Sequence, residues 1–113
     1  MHIKSILYVY LVIIYIKLKG EILMKKMVID MNKGKVFEDV DIHVKTDSGI
    51  ITGFQFKTND GVAHDIRLGW CDRVRQKLGR KINIDEIEFI AIFDIGYKVA
   101  LKNSSSILTY NTK

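Results

Sequence analysis

Asp41 and the triplet Gln55-Phe56-Lys57 are the residues whose types and spacing could do chemistry. They flank the turn of a stretch, Asp39 to Lys57, that reads as a β-hairpin. Val40, Ile42, Val44 and Thr46 alternate with Asp39, Asp41, His43 and Lys45. After the turn, Ile50, Thr52, Phe54 and Phe56 alternate with Ile51, Gly53, Gln55 and Lys57. A period of two puts each set on one face of a strand. A three-residue loop, Asp47-Ser48-Gly49, with Gly at its left-handed last position, pairs Thr46 with Ile50. Counting outward, Asp41 then lies opposite Gln55 and Asp39 opposite Lys57. Directly opposed side chains have Cβ atoms about 4.5–5.5 Å apart. Two carboxylates, a carboxamide and an ammonium therefore converge on one face, and Ile51 on that face implies partial cover.

Such a set suits phosphodiester hydrolysis, which needs the phosphate charge neutralised and a water activated. A divalent metal does both and prefers hard oxygen ligands. Asp41 Oδ, the Gln55 side-chain oxygen and the Phe56 carbonyl supply three candidate oxygens for Mg²⁺ or Mn²⁺. Lys57 would orient or deprotonate the water, or stabilise developing negative charge. Asp39 would offset the neutrality of Gln55. The same residue types are also what a solvated strand face carries.

The elements that must position these residues can be read on either side of the hairpin. Met24, Met27, Val28 and Met31 match a helical stripe within Met24 to Lys35, with Gly34 past its last turn. Thr58-Asn59-Asp60-Gly61 is a turn cluster. Asp65 is the expected N-cap of a helix over Asp65–Leu78, whose stripe is Ile66, Trp70, Val74 and Leu78, with Gly79 as its stop. Trp70, lying in that stripe, reads as core rather than as a base-stacking platform. Ile87 to Phe93 reads as a buried strand, Tyr97 to Leu101 as its alternating partner, and Ile107 to Asn111 as a short edge strand. The order is β-hairpin, helix, β-hairpin, with a helix in front. A strand–helix–strand sequence points to a right-handed crossover with parallel pairing. The expected fold is mixed α/β, a mixed sheet flanked by helices.

The helical region carries Arg67, Arg73, Arg75, Lys77, Arg80 and Lys81 against Asp72. Arg73, Lys77 and Arg80 at i, i+4 and i+7 form one ridge, suited to phosphates or to ordinary solvation. His43 shares the Asp41 face. Cys71 and His64 are about 10 Å apart along a helix, too far for a nucleophile–base pair.

Asp41 followed by Gln55-Phe56-Lys57 on the next strand resembles the PD-(D/E)xK nuclease superfamily. Small Holliday junction resolvase-like endonucleases of that group continue with a helix, an apolar strand and a closing strand with an aromatic after Gly. Here those stretches are Asp65–Leu78, Ile87–Phe93 and Gly96-Tyr97-Lys98-Val99. The resemblance covers roughly residues 34–102. It implies a restriction-endonuclease-like fold, Mg²⁺-dependent cleavage of DNA and a homodimer. It also implies an acid from an N-terminal helix, for which Glu21 is the candidate. A second reading is a non-enzymatic module, such as a mobile-element protein, that docks on nucleic acid or a protein with the same sheet.

The 113 residues allow one domain, and 48% hydrophobic content can fill a modest core. A lone cysteine excludes a disulfide framework within the chain and a cysteine-built zinc site, and fits a reducing cytoplasm. A net charge of +5 is a mild bias towards polyanions. The apolar run Ile6 to Ile16 is shorter than the roughly 20 residues that span a bilayer. Three readings stay open for it: translated upstream sequence before a start at Met24, a native element packed on the sheet, or a membrane-surface anchor. Residues 1–23 are therefore set apart as a doubtful extension from a nuclease-like domain at 24–113. DNA is the expected partner; neither a membrane nor a small-molecule cofactor is.

Overall fold

The computed structural model describes residues 20–102 and 106–110. The expectations for Ile6 to Ile16 lie outside that range. Seven strands, β1 (Glu21–Asp30), β2 (Lys35–Asp47), β3 (Ile50–Lys57), β4 (Ala63–Arg67), β5 (Ile87–Phe93), β6 (Gly96–Leu101) and β7 (Ser106–Tyr110), form one mixed sheet. Its order is β4-β3-β2-β1-β5-β6-β7. The β1–β5 pair is parallel and the other pairs are antiparallel. The helix α1 (Trp70–Lys77) and a 3-10 turn at Ile84–Glu86 join β4 to β5.

The hairpin forms as expected, but its register differs. The loop is two residues, Ser48 and Gly49, both left-handed at φ 53° and 78°, as a type I′ turn requires. Asp47 therefore pairs with Ile50 and Thr46 with Ile51. A bulge then absorbs Thr52, so that Lys45 pairs with Gly53 and His43 with Gln55. Each step slips the pairing by one residue. One slip would flip every side chain to the other face; two restore the faces while changing the neighbours. Ile51 precedes the bulge and so points into the core, not onto the Asp41 face.

The stretch expected as a helix from Met24 is strand β1. Met24, Lys26 and Val28 pair with Ile42, Val40 and Phe37, which are core residues. Lys26 and Asp30 occupy inward positions, so the period of two is hidden and a four-residue step is left in view. Asp30 is nevertheless satisfied: its Oδ1 accepts the Asn32 and Lys33 main-chain N–H at 3.0 Å each and shapes the turn into β2. Opposite Met27, β2 carries an extra residue, with Asp39 left-handed at φ 53°.

The helix expected from Asp65 starts only at Trp70. Ile66 and Leu68 are buried and alternate with exposed Asp65 and Arg67, so residues 63–67 run as strand β4 against β3. The four-residue step from Ile66 to Trp70 spans a strand–helix junction and is coincidental. Beyond Leu68, β3 loses its strand neighbour and α1 takes over that edge. Gln76, 1% exposed, donates to the Ile51 carbonyl and accepts the Ile51 N–H, both at 2.9 Å. Its carboxamide stands in for the peptide group of a missing strand.

Apolar side chains from all seven strands fill the concave side of the sheet, with Val28, Ile42, Val44, Phe54, Ile66, Ile90 and Val99 almost wholly buried. The sheet curls until its edge strand β4 reaches β6. His64 Nδ1 lies 3.1 Å from the Tyr97 hydroxyl, and the imidazole stacks on Phe56. Lys33 and Asp60, 3.0 Å apart, tie the β1–β2 turn to the β3–β4 turn. Among the described residues the fold is thus mixed α/β, with one helix against the edge of the sheet.

Candidate functional site

Over Glu21–Lys25, Asp39–Lys45, Gly53–Lys57 and Ala63–Arg67, between the bulges, strands β1 to β4 turn their odd-numbered residues to one outward face, and this face carries the residues singled out by the hairpin. Leu23, His43, Gln55 and Asp65 form one cross-strand row. Lys25 and Asp41 belong to the next row, where Lys57 pairs with Ala63. Asp41, His43, Gln55, Phe56, Lys57 and Asp65 help to line one open depression of about 510 Å³. Asp41, Gln55 and Lys57 are therefore brought together, but His43 rather than Asp41 is the residue opposite Gln55. Asp39 sits in the β2 bulge beyond the paired part of the hairpin and does not oppose Lys57. Glu21 lies at the start of β1, not on a helix, and its carboxylate meets His43 Nδ1.

The electrostatics of this face are local. Lys25 Nζ holds Asp41 Oδ1 at 3.3 Å, with both side chains more than half exposed. Such a pair contributes at most about 1 kcal/mol. Asp41 and Gln55 stand one row apart, a diagonal of about 7–8 Å between Cα atoms. Phe56 belongs to both the β2 and the β4 ladders, where carbonyls serve strand neighbours. Among the described residues no three His, Cys, Asp or Glu side chains gather to hold a metal ion.

The basic segment is arranged differently from the expected ridge, because α1 ends at Lys77 before Arg80 can join its third turn. Arg73 and Lys77 share one flank and face the β2–β3 hairpin across a depression of about 140 Å³ lined also by Asp47, Ser48, Ile50 and Thr52. Arg75 and Arg80 lie on the other flank beside Asp72, Ile82 and Leu101. Burial pushes the Asp72 carboxyl up, and Arg75, 3.9 Å away, opposes that shift. Arg67 projects outward from β4, and Lys81 is exposed beyond the helix.

Trp70 is the residue that sequence reasoning misplaced. It opens α1 with 70% of its surface exposed. Leu78, at the other end of the supposed stripe, is also exposed. The inward face of this short helix is instead centred on Gln76, a polar residue that a search for apolar spacing passes over. His64 and Tyr97 were likewise not joined by any sequence signal, since only the curl of the sheet brings β4 to β6. Burial pushes the His64 imidazole down, against the opposing charges of Asp60 and Asp30. Burial pushes the Tyr97 phenol up, with Asp65 adding to the shift. Cys71 is exposed on α1, on a different element from His64. No helix among the described residues is long and apolar enough to cross a membrane. Comparison with protein-family models, with curated proteins and with solved structures yields no match.

Proposed function

We propose that the protein is a nucleic-acid-binding module that engages unpaired bases and their phosphates through α1 and its flanks. The observation that carries this reading is the exposed Trp70 within a segment, 67–81, that holds Arg67, Arg73, Arg75, Lys77, Arg80 and Lys81 against the single acid Asp72. Aromatic faces beside cationic grooves are how proteins hold single strands: bases stack on the ring and cations track the backbone. An indole mostly in water and outside the core is poorly explained by packing, whereas a stacked base would cover it. A duplex keeps its bases stacked on each other, so single strands are the favoured ligand. Trp70 is the sole tryptophan, so its fluorescence reports binding directly. Titration with a short oligothymidylate should quench it, with an affinity that falls as salt rises because phosphate contacts release counterions. Unchanged fluorescence at low salt, with no shift in mobility of the oligonucleotide, would contradict the proposal.

A second reading, metal-dependent DNA cleavage, is favoured by one observation: Asp41, Gln55 and Lys57 line the same depression on the sheet. In that reading Asp41 and Gln55 would hold Mg²⁺ or Mn²⁺, and Lys57 would serve the water. Labelled duplex and four-way-junction DNA incubated with either metal separates the two. Cleavage that disappears in Lys57→Ala with the fold intact supports the enzyme. Binding without cleavage in either metal supports the module.

A further inference from the structure

We infer that the depression between α1 and the β2–β3 hairpin is a phosphate subsite, formed by Arg73 and Lys77, that holds one phosphodiester of a bound single strand. This inference rests on the nucleic-acid reading and narrows it to two of the six cations. Arg73 is half-buried, and its Nε is shielded from solvent with no hydrogen-bond partner. A shielded guanidinium N–H without an acceptor is costly, and turning Arg73 into the depression would let a ligand oxygen satisfy it. Guanidinium pairs with phosphate through two parallel N–H donors, which fixes orientation as well as charge. Lys77 lies one helical turn further on the same flank and lines the same space. Neither cation forms an ion pair within 4 Å among the described residues. Arg75, by contrast, already has Asp72 beside it. Trp70 stands at the N-terminal end of this flank, three residues before Arg73.

The hairpin side of the depression is specific too. Asp47 stands on its rim, where its Oδ1 accepts a long hydrogen bond from Ser48 Oγ at 3.4 Å. Its charge opposes an anion, so the subsite carries one net positive charge when empty. The two sides of the site therefore predict opposite effects. Removing the cation weakens phosphate binding, and removing the carboxylate strengthens it. A merely structural role for Arg73 would not produce the second effect.

The test is an NMR titration of the full chain, reading arginine Nε–H resonances, first with inorganic phosphate and then with oligothymidylate. The Arg73 resonance should shift saturably with both ligands. Asp47→Asn should tighten phosphate binding several-fold. Arg73→Gln should weaken oligonucleotide binding and lower the slope of log K against log salt by about 1, while Trp70 quenching persists. Arg73→Lys, which keeps the charge but loses the fork, should weaken binding as well and serves if the Gln variant fails to fold. An Arg73 resonance unmoved by both ligands while Trp70 is quenched would overturn the subsite and leave the nucleic-acid reading standing. A titration that moves neither probe would overturn both.

Discussion

The Trp70 side chain is 70% exposed and lies outside the core, so its removal separates binding from stability. Trp70→Ala should weaken binding of single strands by about 1–3 kcal/mol, the range found for base–aromatic stacking. The unfolding midpoint should stay within about 0.5 kcal/mol of wild type, as for other surface changes. Fluorescence is lost with the ring, so calorimetry or mobility shift must supply the affinity. At the curl of the sheet, His64 gives a second residue-scale prediction. Burial lowers its pKa below the ordinary value of 6.5. Between the lowered value and 6.5 the unfolded chain binds more protons than the folded one, so stability rises with pH. Stability should therefore fall as pH drops below about 6.5, and the drop should be shallower in His64→Gln. Urea midpoints measured from about pH 5 to 7.5 check this. Neither residue's surroundings were visible in the sequence. Trp70 looked like core because apolar spacing was counted through a strand–helix junction. His64 finds Tyr97 only through a contact made by the whole sheet.

At the scale of the element, β3 organises the chain. It pairs with β2 over most of its length, with β4 over its second half, and with the Gln76 carboxamide where β4 ends. Gln76→Leu would leave the buried N–H and C=O of Ile51 without partners, at a cost of roughly 2–4 kcal/mol. Gly53 lets β3 and β4 approach closely: a Cβ there would stand 2.7 Å from the Ile66 carbonyl oxygen. Gly53→Ala should destabilise by about 1–3 kcal/mol, because main chain rather than a flexible side chain must move. Equilibrium denaturation of both variants tests these values. The hairpin itself was legible from its alternation, and so were β5 and β6. What was lost at this scale came from polar residues at inward positions. Lys26 and Asp30 concealed β1, and Gln76 concealed the true inner face of α1. The faces of Asp41, Gln55 and Lys57 were read correctly although their register was not, because a shorter loop and a bulge shift the pairing by two residues together.

For the whole molecule, the fold separates two surfaces. The outward face of β1–β4 carries charges of both signs, with Lys25 paired to Asp41 and the Glu21 carboxylate against His43 Nδ1. The α1 region concentrates positive charge around an exposed ring, and the net charge of +5 has the same sign. That asymmetry is why the proposed ligand is a polyanion rather than a metal on the sheet face. The sequence held the charges and the residue types, but not the curl of the sheet or the end of the helix that distribute them. The most direct test of this account is a fluorescence titration of Trp70 with a short single-stranded oligonucleotide at two salt concentrations, with the matching duplex as competitor. The account predicts saturable quenching that weakens at higher salt and is displaced poorly by duplex. Quenching that is absent, or equal for duplex and single strand and indifferent to salt, would contradict it.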